Sequence, residues 1–353
     1  MVFARAAVRS LADPQRCLFM RSSMFACALS LLLAPHLAVA ADASSYGMEL
    51  EGFEYPFPVK RYTFTSQGEA MRMAYLDVAP ATPNGRTVVL LHGKNFCAAT
   101  WESTIRALTG AGYRVIAPDQ IGFCKSTKPE HYQYSFQQLA SNTNALLESL
   151  GIERADIVGH SMGGMLAARF ALMYPQRVGQ LMLVNPIGLE DWKALGVPWA
   201  SVDANFAGEL KTSAESIRRY QQQVYYSGQW KPAYDRWVGM LAGLYAGPGK
   251  QRVAWNQALT TDMVFTQPVV HELPQLSVPT TLFIGQRDRT AIGRDRASPE
   301  LRERLGDYPT LGKRAASAIP GATLVEFEDL GHSPQVEAPE RFENALLQAL
   351  AKR

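Results

Sequence analysis

Between residues 59 and 92 the spacing of apolar positions changes from alternating to continuous. VKRYTFTS (59–66) and AMRMAYLDVA (70–79) alternate around Gln67-Gly68, which predicts two antiparallel strands joined by a tight turn. TVVLLH (87–92) is apolar throughout, the pattern of a parallel strand covered on both faces. ATWESTIRALTGAG has helical spacing and stops on Gly110 and Gly112, and YRVIAPD (113–119) follows as a strand. Ser135 with Gln138 three residues on reads as a capping box, with Phe136, Leu139, Leu146 and Leu150 at helical spacing behind it. ADIVGH (155–160) leads into a helix starting MGGMLAARF, and VGQLMLVN (178–185) is the next strand.

Residues 186–275 break this rhythm. The segment has no convincing buried-strand run and is rich in aromatics, Trp192, Tyr220, Tyr225 and Trp237 among them, so it reads as a helical insertion. Strands resume at VPTTLFIG (278–285) and ATLVEFE (322–328), and an amphipathic helix runs from Pro339 to the end. The fold class expected is α/β, a mostly parallel, doubly wound sheet of about eight strands. Its core would comprise 41–185 and 276–353, with 186–275 a helical cap inserted between them. No internal repeat or low-complexity tract interrupts the pattern.

The N-terminus follows another logic. FACALSLLLAPHLAVA (25–40) is preceded by Arg16 and Arg21 and ends small-x-small, the form of a secretory signal cleaved after Ala40. Pro35 and His36 break the run, which falls short of the ~20 apolar residues a membrane span needs. Met20 and Met24 are alternative starts, and Cys27 lies too early for a lipoprotein. A periplasmic or secreted protein is therefore expected, with no stable membrane insertion after cleavage. Removing 1–40 takes four arginines and one aspartate from totals of 35 basic and 32 acidic residues, leaving 31 of each. A neutral chain gives no basic face for nucleic acid. Its content, 47% hydrophobic and 19% charged, suits a sizeable core. Cys97 and Cys124 are the only cysteines left, which in an exported protein raises the question of a disulfide.

The strongest chemical motif is Gly159-His160-Ser161-Met162-Gly163, between a strand and a helix. A strand-to-helix turn this tight excludes flanking side chains and lifts the Ser161 hydroxyl to a helix N-terminus, where developing negative charge is favoured. A serine nucleophile needs a base, and His332 follows the last strand at a Gly-bearing loop. His92 and His160 sit inside turn motifs, His131 precedes the nucleophile, and His271 ends the insertion. For the acid, Asp288 lies just past an apolar strand, at the sheet edge where α/β sites assemble. Asp295, Asp329, Glu190 and Asp191 are the alternatives. No metal-ligand cluster or nucleotide loop is present, so neither metal nor cofactor is expected.

Together these residues resemble the α/β-hydrolase superfamily. The likeness rests on His92-Gly93, PDQIGFCKS (118–126), GHSMGG (159–164), GQRD (285–288) and GHSPQVEAPERF (331–342), and extends over nearly all of the chain after residue 40. GHSMGG and the closing motif are similar to serine carboxylesterases, thioesterases and carbon–carbon bond hydrolases of aromatic-ring degradation. A serine argues against the dehalogenase and epoxide-hydrolase branches, which place aspartate there. The resemblance implies a Ser161–His332–Asp288 triad and an acyl-enzyme, on a small-to-medium apolar ester or related acyl compound as the small-molecule partner. The cap's aromatic face would line the acyl pocket. Acyl transfer, cofactor-free peroxidase-like activity or a non-catalytic binding role on the same fold are the competing readings.

It also implies that the oxyanion hole pairs the backbone N–H of Lys94 with that of Met162, Asn95 being the runner-up to Lys94. The Lys94 side chain is then expected to be exposed and solvated. In this fold PDQIGFCKS follows the strand adjacent to that of His92-Gly93, so Cys97 and Cys124 sit on neighbouring loops. A disulfide bracing the oxyanion loop is expected; two free buried thiols are the alternative, and a Cα separation above ~7 Å would exclude the bond.

Overall fold

The computed structural model describes residues 44–352; the expected leader, 1–40, lies outside the described residues. Eight strands form one sheet: β1 (Val59–Ser66), β2 (Glu69–Val78), β3 (Thr87–Leu91), β4 (Arg114–Pro118), β5 (Ala155–His160), β6 (Val178–Val184), β7 (Thr280–Gly285) and β8 (Thr323–Phe327). Their order is β1-β2-β4-β3-β5-β6-β7-β8. The pairs β1–β2 and β2–β4 are antiparallel and all the others parallel. Gln67 and Gly68 both have positive φ, at 52° and 80°, the backbone that a two-residue hairpin turn needs to match strand twist.

The interior strands are buried on both faces, which is why their sequences are continuous apolar runs. Period two still decides which side chain goes where. Val89 and Leu91 of β3 join one apolar layer, and Val88 and Leu90 join the other. The second layer is closed by α1 (Glu102–Gly110), through Ile105 and Leu108, together with Trp101 just before it. The first is covered by α2 (Phe136–Ser149) and α3 (Met162–Met173). Ser135 caps α2 by accepting from the Gln138 N–H at 3.0 Å, but the Gln138 amide donates along the helix to Asn142 (2.9 Å). Only half of the expected capping box forms, because an acceptor four residues on competes for that side chain.

Within 186–275 the described residues form helices and turns, among them α4 (Val202–Glu209), α5 (Ala214–Tyr220), α6 (Asp235–Ala246) and α7 (Lys250–Thr266). Directly after α5 comes one π-helical turn, Gln221–Tyr225. Two helices went unread in the sequence, α8 (Pro299–Arg304) and α9 (Tyr308–Ala318), both between β7 and β8. The first is short and polar; the second contains Gly312, where an added Cβ would lie 2.9 Å from Ile284 of β7. Close packing, not propensity, sets α9 in place. The short α10 (Pro334–Glu337) and the predicted closing helix α11 (Pro339–Ala351) complete the fold. Phe342 and Leu346 of α11 pack into the second layer. Among the described residues, no helix is long and apolar enough to cross a membrane.

Candidate active site

At the end of β5 the chain reverses into α3 through Ser161, which adopts φ 57°. A non-glycine residue held there costs about 1–3 kcal/mol, so the turn must be over-determined by its neighbours. Those neighbours are visible. An added Cβ at Gly159 would collide with the Gly163 carbonyl, and one at Gly163 with the Leu91 carbonyl. At Gly93 it would meet Ser161 Cβ at 3.0 Å, so the loop after β3 approaches the serine closely only because residue 93 lacks a side chain.

His332 and Asp288 come from loops after β8 and β7, and both are fully buried. His332 Nδ1 lies 2.6 Å from Asp288 Oδ2. Asn185, at the end of β6, donates to the same carboxylate oxygen at 2.9 Å, and the Thr290 N–H donates to the other at 2.8 Å. Asp288 is therefore held from three sides. Nε2 of His332 is buried without a hydrogen-bond partner among the described residues. No Ser161–His332 hydrogen bond forms, and in unliganded sites such bonds are often loose until substrate arrives.

The His332 main chain is also gripped. Its N–H donates to the Tyr225 carbonyl at 2.8 Å, and its carbonyl lies 2.8 Å from His160 Nε2. Burial, and then the charge of His332, drive the His160 pKa well below its ordinary value, so this second imidazole is neutral. Tyr225 stacks on the His332 ring at 4.5 Å and takes a 2.8 Å hydrogen bond from the Asn95 amide. Glu337 accepts from the N–H groups of Gly331 (3.0 Å) and Ser333 (3.1 Å), on either side of His332.

The other candidate acids are occupied elsewhere. Asp329 pairs with Arg341, Asp191 lies 2.9 Å from His271, and Glu190 accepts from Trp192 and the Gly306 N–H, both at 3.0 Å. The Asp295 side chain is 81% exposed.

The N–H groups of Lys94 and Asn95, in the loop after β3, and of Met162, the first residue of α3, donate to no acceptor among the described residues. Those are the donors expected for an oxyanion hole, with Asn95 still an alternative to Lys94. The Lys94 side chain is not the solvated bystander expected. Its ammonium bonds Glu209 (3.1 Å) and Gln257 (3.0 Å), and the side chain is only 14% exposed. The insertion folds over this loop, and partners more than a hundred residues away leave no local signal. Cys97 and Cys124 are bonded, with Cα atoms 5.9 Å apart. Asp119 ties the same two loops, accepting from the Ala98 N–H (2.8 Å) and the Lys125 N–H (3.1 Å). Asp119 and the two sulfurs lie within 4.8 Å of one another, but bonded sulfurs are not thiolate ligands for a metal.

A cavity of about 960 Å³ is walled by Asn95, of the loop after β3, and by Arg289, the residue after Asp288; Ser161, Asp288 and His332 do not line it. Tyr220, Tyr245, Ile217 and Val224 line it from the insertion, and Arg289 and residues 291–296 line it from the segment after Asp288. Of the insertion's aromatics, Tyr226, Trp230 and Tyr234 pack on one another instead of lining this space. The sequence reading missed Asn185, Tyr225 and Glu337; only Glu337, inside GHSPQVEAPERF, lay within a motif.

The chain resembles a protein of known structure along most of its length. A probable hydrolytic enzyme from Pseudomonas aeruginosa PAO1, known as a crystal structure, is 65% identical with a TM-score of 0.87. The match covers 88% of this chain and 99% of that one. The 2-hydroxy-6-oxo-6-phenylhexa-2,4-dienoate hydrolase of Comamonas testosteroni is 35% identical over 145 residues, 40% of this chain and 51% of the relative. The chain spans about half the length of the curated relatives it matches. A Bacillus subtilis carboxylesterase (TM-score 0.59, 21% identity, 85% of this chain and 94% of that one) shares the fold alone. The α/β hydrolase fold matches residues 86–339, well over half of the sequence. With that match and the strand order above, the chain belongs to the α/β hydrolase fold family.

Proposed function

We propose that this chain is an exported serine hydrolase that cleaves a small-to-medium apolar ester or related acyl compound through an acyl-enzyme. The observation that carries the reading is the fully buried 2.6 Å contact between His332 Nδ1 and Asp288, beside a serine held at φ 57°. Asp288 fixes the imidazole so that Nε2 is the nitrogen left to accept a proton. His332 takes the Ser161 proton as Oγ attacks the acyl carbon, and the N–H groups of Lys94 and Met162 hold the oxyanion. Losing one such donor costs on the order of 3 kcal/mol. His332 then protonates the leaving alcohol, and water, activated by the same imidazole, releases the acid. The relatives named above include a carbon–carbon bond hydrolase and an esterase, so the family supports hydrolysis more broadly than it supports esters.

A fluorophosphonate probe should label the wild type and fail on Ser161→Ala. An unlabelled wild type, under conditions that label a known serine hydrolase, overturns the proposal. A panel of p-nitrophenyl esters of rising chain length then sizes the acyl pocket, and product partitioning toward added alcohol or peroxide would reveal acyl transfer or perhydrolysis. The Cys97–Cys124 bond supports the exported placement, since structural disulfides persist in oxidising compartments. Mass spectrometry of the native protein should find Ala41 as its first residue.

A further inference from the structure

We infer that the cavity walled by Asn95 and by the segment after Asp288 is a carboxylate-binding pocket, so that the acyl substrate carries a second, anionic end. The inference deepens the serine-hydrolase reading and rests on it for the chemistry, though not for the binding.

Four guanidinium groups line this space, Arg289, Arg294, Arg296 and Arg302. Three of them are held by main-chain carbonyls in a continuous ladder. Arg289 donates to the Asp288 carbonyl at 2.6 Å, Arg294 to the Arg289 carbonyl at 2.9 Å, and Arg302 to the Arg294 carbonyl at 3.1 Å. Arg302 adds bonds to the carbonyls of Asp295 (3.0 Å) and Ala297 (3.2 Å). Among the described residues, none of these three has a carboxylate within salt-bridge distance. Arg296, anchored on the Pro198 carbonyl at 3.1 Å, has only the exposed Asp295, at 3.8 Å.

Carbonyl bonds fix a guanidinium without neutralising it. The ladder therefore presents positive charge with its geometry already set, and planar forks of this kind match carboxylates. The other acid on the wall, Glu209, is committed to Lys94 and to the Tyr245 hydroxyl. Ile217, Val224 and Leu241, also on the cavity lining, give apolar surface for the chain between the two ends. The volume is of the size that takes a whole small-molecule ligand. Asn95, next to Lys94 on the loop after β3, is on the cavity wall, so the space borders the loop that carries the proposed oxyanion donor. Hydrolysis would consume one water and release an alcohol and a dicarboxylate.

Calorimetric titration of Ser161→Ala with monomethyl esters of straight-chain diacids of about four to ten carbons, each beside its neutral dimethyl ester, tests the binding directly. At least one monoanion should bind about tenfold more tightly than its neutral partner, and that ratio should collapse in Arg294→Gln/Arg302→Gln on the same background. Equal binding across the series, or a ratio unchanged by the double substitution, overturns the inference. The catalytic arm compares p-nitrophenyl esters whose acyl chain ends in a carboxylate or in its methyl ester. The wild-type kcat/KM ratio should favour the acid by about tenfold or more and fall in Arg294→Gln/Arg302→Gln, with Arg294→Lys retaining part of the preference. A uniform loss on both esters means that the arginines only support the fold, and the inference fails. If the monoanion binds but no fluorophosphonate labels Ser161, the hydrolase reading fails and the pocket stands.

Discussion

At the proposed triad, the buried carboxylate is paired completely. Asp288 accepts from His332, Asn185 and Thr290, and the His332 main chain is bonded at both its N–H and its carbonyl. Within the Asp288–His332 pair His332 Nε2 is left over, and around it His160 Nδ1, Thr290 Oγ1 and Ser333 Oγ are also buried without partners among the described residues. Further along the chain the rule inverts: Arg289 and Arg294, in the segment after β7, and Arg302, in α8, line open space with carbonyl anchors and no carboxylate. In a low-dielectric corner an unpaired charge is expensive, so the Asp288 carboxylate is fully paired, which leaves His332 Nε2 as the ring nitrogen available to the proposed chemistry. At a solvent-filled cavity wall the same vacancy is cheap to keep, and several can be held ready for a ligand. Chemistry and selection are thus built side by side by opposite treatments of polar groups, with Tyr225 stacked on the triad histidine and Tyr220 lining the cavity.

The largest effect that can test this contrast is at the triad acid. Asp288→Asn keeps the shape but leaves an amide that no longer fixes the imidazole tautomer, so kcat should fall by about 10⁴-fold. A loss of only a few-fold, measured on any ester the wild type turns over, would mean that the paired corner is not where the reaction is driven. Next in size is the Cys97–Cys124 bond, which closes a loop of 27 residues in sequence separation. Cys97→Ser/Cys124→Ser should lower unfolding stability by about 3–4 kcal/mol in a denaturant titration. If reducing the wild type reproduces the stability loss but leaves fluorophosphonate labelling unchanged, Asp119 alone suffices to hold the oxyanion loop.

How far the sequence revealed these two regions follows from the range of the interactions. Ser161, Asp288 and His332 were legible because each sits at a strand end, where turn geometry restricts the residue types locally. Val88–Leu91 betrayed its double burial by composition alone. Tyr225 was one aromatic among many in 186–275, and nothing near it in sequence shows that its carbonyl and ring would meet residue 332. Lys94 misled for the same reason, since its partners Glu209 and Gln257 arrive only when the cap folds down. The arginines of 289–302 were readable as charges, but not as a ladder, because their acceptors are main-chain carbonyls.

Tyr225 offers a sharper, smaller test of where one region ends and the other begins. Tyr225→Phe keeps the stack on His332 but removes the acceptor for Asn95, and a loss of only a few-fold in kcat is expected. Tyr225→Ala removes both and should cost about 10–100-fold in kcat, since a displaced catalytic group is penalised steeply. A rise in KM with kcat unchanged would instead assign Tyr225 to the substrate cavity.

The smallest effect concerns Glu337, the one buried acid that grips the His332 loop without touching the triad carboxylate. Burial is the main cause that raises its carboxyl pKa from 4.5 to about 7; the nearby charge of Asp288 pushes the same way, while the Gly331 and Ser333 N–H groups oppose it. Because the folded value lies above the unfolded one, the native state holds the extra proton between them. Glu337 therefore stabilises the fold fully below about pH 4.5, and that contribution is lost as pH rises through about 7. In Glu337→Gln this part of the pH dependence should vanish, while the amide oxygen can still accept from the loop. Denaturant midpoints measured from pH 4.5 to 8 on both proteins decide the matter. Parallel profiles would show that Glu337 does not titrate in this range and that the three N–H contacts outweigh its burial. A flattened variant profile would show instead that a carboxyl group beside His332 is protonated at the acid end of this range, which extends the rule of the proposed triad's corner. There, even an acid gripped by backbone donors is kept neutral in preference to being left as an unpaired charge.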